Sequence, residues 1–596
     1  MVLSFADDRP PRIVIAPRAP EEADALARAM GVPSIVGRLL WSRGVRDRES
    51  ASSFLTPRLS QLVTPDALPD MGLAAARVAK AVRAKEKIAV CGDYDVDGMT
   101  GTALLLRFLA LAGADARYAI PDRVADGYGL SVKTVERLAA EGVRLLITVD
   151  NGVAAIEPLE TARALGLDAV ITDHHLPGET LPPAVAIVDP HRRDRPAGPG
   201  GNLCGCGLAF KLAWGTSEVL QRARRDEALK QFLVDALGLV ALATVADVMP
   251  LTGENRVLVA AGLSALRASR SPGVRALLDV AKLSGATLTA EDIAWRLAPR
   301  LNAVGRMNRP EHAIDLFTTD DPAVAAAAAG ELEAANEQRK EIERGITAQA
   351  LEAAAPRVAG RRSLVVAGEG WHRGVIGIVA ARLVDAHARP TVVVGFEGEG
   401  GRGSCRTTGG VNLVEALSRC GAHLSRYGGH AAAAGLEIER ARLPEFEAAF
   451  EEAVRLQVGD GVAERTVTVD EELAAGELTL ETTEHIRRLA PFGQGNPEPR
   501  FLVRGVRLAG RAKLMGATSA HLSFVAQVPG GGVRVVAFKQ ASAFELVSSG
   551  APVDLVATPT INEWRGTRTA ELQVSSIRPS DGRPSDAPTS GPSSRG

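Results

Sequence analysis

Disulfide chemistry has little to work with in this chain, which carries five cysteines among 596 residues. The odd count and scattered positions exclude a disulfide framework and fit a reducing cytosol. Cys204 and Cys206 form a lone C-x-C with no second pair at zinc spacing, so they read as structural. Lysine is also scarce: of 69 basic residues only ten are lysine, and the rest are arginine, the better bidentate partner for phosphate. An Arg- and Ala-rich coding bias explains that choice equally well. A large charge of one sign is missing too. The net charge of −2 excludes a uniformly basic nucleic-acid binder but leaves room for a basic groove on a neutral body. The most apolar stretch, Ala236 to Ala246, is bracketed by Asp235 and Asp247. It is too short to span a bilayer and reads as a buried helix. No basic segment followed by an apolar one opens the chain, so no signal peptide is indicated. The expectation is a cytoplasmic protein with no membrane partner.

What is present is ample material for several cores, with 46% hydrophobic and 23% charged residues. At about 100–200 residues per domain the length suggests three or four of them. Residues 1–78 read as a mostly helical lead-in punctuated by Pro and Gly. From 79 to 321 short β-branched or apolar runs alternate with Ala/Leu-rich helical ones: IAV (88–90), RYAI (117–120), LLITV (145–149), DAVIT (168–172) and VAIV (185–188). That alternation predicts βαβ units and a mainly parallel, doubly wound sheet. A proline-free run rich in Ala, Glu, Gln and Arg, within 322–360, predicts a long connecting helix of roughly 50 Å, with Gly330 and Gly345 as points of bending. A second α/β lobe follows at 361–458. Alternating runs across 459–578 predict a β-rich barrel or sandwich of OB type. The Pro/Ser/Gly-rich end, 579–596, reads as a disordered tail.

The chemistry is concentrated where strands stop. IAV runs into Asp93, Asp95 and Asp97; LLITV into Asp150; AVIT into Asp173, His174 and His175; AIV into Asp189 and His191. In an open α/β sheet, ligands bind at the carboxyl ends of the strands. One Asp before Gly or Asn is readily a turn former or a helix cap. Several carboxylates on one sheet edge repel one another and need a cation to stay ionised. Mixed Asp and His ligands suit Mn²⁺, Mg²⁺ or a similar divalent ion. Two such ions, about 3.5–4 Å apart, would generate a hydroxide and stabilise both oxygens of an in-line displacement at phosphorus. Alternation along an extended segment would let Asp95 and Asp97 face one site. Asp150 is the natural bridge between two ions, and His175 a donor to the scissile phosphate or leaving oxygen. Asp247, in LATVADVMPL, follows an apolar helical run and reads either as a cap or as a ligand.

These segments resemble the four motifs of the DHH phosphoesterase superfamily: GDYDVDGMTG (92–101), VDNG (149–152), DHH (173–175) and VADVMPL (245–251). Within it the chain is most similar to the RecJ family of single-stranded-DNA-specific exonucleases. RLNAVGRM (300–307), GWHRGVIGIVAARL (370–383), GRGSCRT (401–407), GGHAAAAGLEI (428–438) and PFGQGNPEPRF (491–501) carry that likeness. The resemblance implies that Asp95, Asp97, Asp150, His174 and Asp247 bind two divalent ions, Mn²⁺ preferred and Mg²⁺ the alternative. Asp93 would be a ligand or would orient one, and His175 would contact the phosphate. Cys91 stands where many DHH enzymes carry a His, which leaves the first ion's ligand set open. The second lobe resembles the DHH-associated domain, facing the metal site across a groove that admits one strand. There Ser404 and Arg406 would grip a 5′ phosphate, aided by Arg123 and Tyr128. Arg306 would meet the scissile phosphate, Arg373 the DNA backbone, and His430 the substrate; an ordinary surface Arg or a core His is the competing reading. The β-rich region resembles the family's OB-fold, with Phe492, Phe501, Trp564 and Arg565 as stacking candidates. At 4% aromatic residues, backbone electrostatics would dominate and salt would weaken binding. The implied activity is 5′→3′ hydrolysis of single-stranded DNA to 5′-mononucleotides in repair and recombination, with single-strand-binding protein and a helicase as partners. The competing readings are a phosphodiesterase of oligoribonucleotides or cyclic dinucleotides, whose chains are typically much shorter, and a non-catalytic replication scaffold, which would have lost metal ligands.

Overall fold

Where β-branched runs alternate with Ala/Leu-rich ones, strands and helices alternate in the computed structural model, which describes residues 12–121, 129–195, 198, 201–220, 226–407, 409–459, 466–528 and 531–580. The chain divides into two compact units. The first to consider comprises Thr56–Lys340 with Pro491–Pro497. Its sheet has five parallel strands in the order Asp115–Ala119, Lys87–Cys91, Leu145–Val149, Asp168–Thr172, Ala186–Val188. The central strand Leu145–Val149 is buried along its whole length, as a strand covered on both faces must be. Val90 and Ile147 pack with the helices Val96–Leu111 and Gly205–Val219, while Ala89 and Leu146 pack with Val132–Ala140 and Ile156–Ala164. In chain order the strands run 2-1-3-4-5, so the direction of winding reverses between Lys87–Cys91 and Leu145–Val149. A crevice opens at the carboxyl ends of that pair.

The apolar stretch expected to be too short for a bilayer lies in a longer helix. Glu227–Ala246 has 20 residues and a mean hydropathy of 1.6, enough by length and composition to cross a membrane. Its burial gives the reason for that composition: Leu237 to Thr244 are in the core, and the Gly238 side faces Leu266 of the neighbouring helix Gly253–Ala268. The long helix runs unbroken over 33 residues, Pro322–Ala354, and ends in a 3₁₀ turn at Pro356 rather than reaching 360. Gly330 and Gly345 break nothing, and both look onto open space.

The other unit comprises Met1–Leu55, Glu341–Ala490 and Glu498–Gly596. Its first sheet orders the strands Arg426–Gly429, Ala433–Glu439, Gly400–Arg406, Thr391–Glu397, Leu364–Glu369. The last two pair in parallel and the others antiparallel. Phe446 and Phe450 of the helix Leu443–Val458 seal one face, stacked with centroids 5.7 Å apart. The β-rich region forms a seven-stranded sheet in which Val553–Trp564 and Thr567–Pro579 make a long hairpin. The lead-in expected to be helical also contributes a strand, Arg12–Ile15, paired in parallel with Thr466–Val469. It divides at Leu55, because Met71–Ala84 packs with the parallel sheet and its Met71, Ala74 and Val78 join that core.

Candidate metal centre

The carboxylates expected at strand ends gather at the point where the winding reverses, but not by strand alternation. Asp95 is the extended N-cap of Val96–Leu111, its carboxylate accepting the Gly98 N–H at 3.1 Å, and Asp97 lies inside the first helical turn. An Asx cap followed by a helix therefore replaces the extended D-x-D geometry. Asp97 is buried, and its two oxygens each accept a 2.7 Å hydrogen bond, from the Gly205 and Cys206 N–H groups. Those donors open the helix Gly205–Val219, so the positive end of a helix meets the carboxylate. Cys204 caps that helix through Sγ, which makes the C-x-C structural as expected and also gives it a place beside the site.

His174 Nε2 stands 3.0 Å from Asp150 Oδ1, 3.6 Å from Asp247 Oδ2 and 3.7 Å from Asp97 Oδ2. Among the described residues, three groups have ligand atoms mutually within 4.8 Å: Asp97, His174 and Asp247; Asp150, His174 and His175; and Asp93, Asp95 and Asp150. Asp150 belongs to two of them. It stands in the left-handed region at φ 63°, a conformation Asp adopts more readily than most residues. Asp247 is the C-cap of Glu227–Ala246, one of the two readings expected of it, and its carboxylate also stands in the cluster.

Electrostatics argues for a counter-charge. Burial, then repulsion from Asp97, Asp95, Asp247 and Asp93, holds the Asp150 carboxyl well above its ordinary range. Burial, then Asp97 and Asp95, pushes Asp247 up to about 8, and burial, then Asp95, pushes Asp97 up to about 6. Burial pulls His174 down to about 4, so its imidazole is neutral and offers a lone pair. Divalent cations suit five carboxylates and a neutral imidazole converging in this way.

His175 behaves oppositely. Burial pulls it down, but Asp173 Oδ1, 2.8 Å from its Nδ1, overrides that and raises it to about 9. Asp173 was legible only as part of a motif, and the structure gives it the work of orientation. Fully buried, it accepts the N–H groups of Val153 (2.9 Å), His174 (2.8 Å) and His175 (3.2 Å) as well as the His175 ring. Asn302 and Gly305 of NAVGRM also act by position. Asn302 Oδ1 accepts the Val96 N–H at 3.3 Å, and a Cβ on Gly305 would lie 1.9 Å from the Tyr94 carbonyl. A Cβ on Gly205 would lie 2.6 Å from that of Asp150. Gly205→Ala should therefore cost about 1–3 kcal/mol of stability and weaken cation binding. Denaturation with and without Mn²⁺ checks both.

The sequence matches the DHH family, N-terminal domain, over residues 87–244, the DHHA1 domain over 360–456 and the RecJ OB domain over 469–576. It is 37% identical over 565 residues to the single-stranded-DNA-specific exonuclease RecJ of Dickeya dadantii (strain 3937), covering 92% of this chain and 96% of that one. The same protein of Escherichia coli (strain K12) is 35% identical with the same coverage. The crystal structure of RecJ in complex with Mn²⁺ from Thermus thermophilus superimposes with a TM-score of 0.80 at 33% identity, covering 95% of this chain and 79% of that one. The chain belongs to the RecJ family.

The remaining residues that the RecJ resemblance singled out fall in several places. Arg306, half-buried, ends the helix Ala298–Arg306 in the unit that carries the carboxylates. Arg123 and Tyr128 lie outside the described residues. Ser404, Arg406, Arg373 and His430 belong to the other unit. Arg406 is half-buried and donates to Ser404 Oγ at 3.0 Å and the Cys405 carbonyl at 2.8 Å. Among the described residues no carboxylate lies within ion-pair reach of it. A Cβ on Gly377, in the first turn of Ile376–His387, would lie 2.9 Å from its guanidinium and 3.0 Å from Ser404 Oγ. Arg373 lines a cavity of about 360 Å³ together with Arg402, Glu397, Glu437 and Glu439, a mixed lining rather than a basic one. His430 is exposed at the turn between Arg426–Gly429 and Ala433–Glu439, which excludes the core reading. Of the stacking candidates Phe501 is core, and Phe492 is half-buried in the unit of the parallel sheet. Trp564 is 68% exposed at a hairpin tip with the Arg565 guanidinium 5.6 Å from its ring centroid.

Proposed function

We propose that this RecJ-family exonuclease degrades single-stranded DNA from its 5′ end to 5′-mononucleotides, as in repair and recombination, at a site holding two divalent cations with Mn²⁺ preferred and Mg²⁺ the alternative. The observation that carries the reading is the convergence of Asp97, Asp150 and Asp247 within 3.0–3.7 Å of His174 Nε2, with Asp93 and Asp95 grouped about Asp150. The six would hold the cations, Asp150 shared between them. Divalent ions in such a site acidify water and neutralise charge on the phosphoryl oxygens. His175, fixed through Nδ1 by Asp173 and held protonated by it, would act as a charged donor to a phosphate oxygen. Arg306 is proposed to meet the scissile phosphate and Arg373 the backbone, with His430, Arg123 and Tyr128 as further contacts.

Polarity is assigned to Ser404 and Arg406. A half-buried guanidinium without a carboxylate, beside a hydroxyl and the first turn of a helix, suits a terminal phosphate. Arg406→Gln should raise KM for 5′-phosphorylated strands by about tenfold, worth about 1.4 kcal/mol, and change it little for 5′-hydroxyl strands. Steady-state kinetics on the two substrates checks this. Single-strand-binding protein and a helicase are proposed as partners in a cytosolic setting, which five unpaired, buried cysteines suit. The activity is tested on single-stranded and blunt duplex DNA labelled at either end, with Mn²⁺ or chelator. Mononucleotide release from the 5′ end of single strands, with Mn²⁺ only, is expected. Cleavage of short oligoribonucleotides or cyclic dinucleotides with DNA left intact would overturn the assignment.

A further inference from the structure

The helix Glu227–Ala246 ends in a Schellman turn: the Met249 N–H donates to the Thr244 carbonyl at 3.0 Å and the Val248 N–H to the Val245 carbonyl at 3.2 Å, with Asp247 as C-cap. The residue after the cap in this motif is ordinarily glycine, because its backbone is left-handed. Here it is Val248, at φ 56°. Among the described residues it is the one β-branched side chain in that region, where the Cβ crowds the following carbonyl. Core packing does not repay this strain, since Val248 is 65% exposed. Strain kept at such a position signals a demand from outside the fold.

A second observation lies on the neighbouring strand end. Leu176 follows His175 directly and is 76% exposed. A single exposed leucine means little. Leu176 and Val248, however, flank groups in mutual contact: Asp247 Oδ2 is 3.6 Å from His174 Nε2. Two large aliphatic side chains, both open to solvent, thus follow directly in the chain on His175 and Asp247, residues of the carboxylate and imidazole cluster. Neither ligates an ion nor moves a proton. The unmet need beside a phosphodiester is for its apolar neighbours, the sugar ring and the base face.

We propose that Val248 and Leu176 form an apolar lip that seats the sugar and base of the nucleotide adjoining the scissile phosphate. They are binding residues, and the inference rests on the exonuclease reading above. Contact with sugar and base carries no sequence preference, as exonucleolytic digestion requires. It is made equally in the ground and transition states, so its loss appears in KM rather than kcat.

Val248→Asn separates strain from contact, because asparagine accepts the left-handed backbone but is polar. In the variant KM for a single-stranded oligonucleotide should rise about tenfold, with kcat within about twofold and Mn²⁺ affinity unchanged. Its melting temperature in chelator should rise by about 2 °C. Leu176→Ser should raise KM likewise, and Leu176→Met should keep it. An unchanged KM in Val248→Asn and Leu176→Ser, a lower melting temperature for Val248→Asn, or a loss of Mn²⁺ binding would each overturn the lip. Wild-type activity on the same oligonucleotide is the control. Its absence would overturn the exonuclease reading and the lip together, whereas failure of the lip alone leaves the wild type active.

Discussion

Asp150→Asn should lower hydrolysis of single-stranded DNA by on the order of 10³-fold, about 4 kcal/mol of transition-state stabilisation, while making the metal-free fold more stable. Asp150 Oδ1 lies 3.0 Å from His174 Nε2, and Asp150 also groups with Asp93 and Asp95, so its loss should weaken both proposed cation positions at once. Asparagine accepts the φ of 63°, and the backbone should not object to the change. The gain in stability follows from charge. Asp150 is held above its ordinary value of 3.8 by burial first and then by four neighbouring carboxylates. A carboxyl whose folded pKa lies above its unfolded one costs stability at every pH above the unfolded value. In chelator, wild-type stability should fall as pH rises from about 4 through the values of about 6 for Asp97 and about 8 for Asp247. The variant should therefore melt above the wild type at pH 8 and close to it at pH 4. Mn²⁺ at a hundredfold excess over its Kd should stabilise the wild type by about 2.7 kcal/mol per site and the variant by much less. Thermal denaturation across pH, with and without Mn²⁺, reads all of this.

His175→Ala should lower kcat by about 10²–10³-fold, the range for one preorganised donor to a developing oxyanion, and leave cation affinity nearly as it is. The ring is committed through Nδ1 to Asp173 at 2.8 Å, while its distance to Asp150 Oδ1 is 4.0 Å. Asp173 retains three backbone donors in the variant, so the loop carrying His174 keeps its shape. Single-turnover rates and Mn²⁺ binding, measured on the same preparation, separate the two effects. A fall in affinity that matches the fall in rate would make His175 a ligand instead of a donor.

How far the sequence carried these conclusions depends on how local each feature is. Strand ends bearing Asp93, Asp150 and His174 were legible because a short run of apolar and β-branched residues stops just before each, and the sheet geometry does the rest. Asp247 was legible only as a dilemma between cap and ligand, since a helix C-cap can also stand within a carboxylate cluster. The D-x-D reading erred because helix 96–111 begins between its two aspartates, and a cap at Asp95 outweighs continued extension. Asp173 was legible at its strand end but not its role, because the letters of its motif do not distinguish an orienting group, hydrogen-bonded to Val153, His174 and His175, from a ligand. The strand at Arg12–Ile15 carries β-branched Ile13, Val14 and Ile15 but is only four residues long, and its partner, Thr466–Val469, lies about 450 residues away, so the pairing has no local signal. Val248 escaped notice because a positive φ leaves no trace in composition when the residue is not glycine.

The most direct test of the metal centre is equilibrium binding of Mn²⁺ to the purified chain, followed together with its rate on a 5′-phosphorylated single strand. Two ions per chain are expected at saturation, the rate rising with the second, and Asp150→Asn should retain neither tightly. A single ion supporting the full rate, or two ions bound with equal strength in Asp150→Asn, would contradict a shared-aspartate, two-cation site.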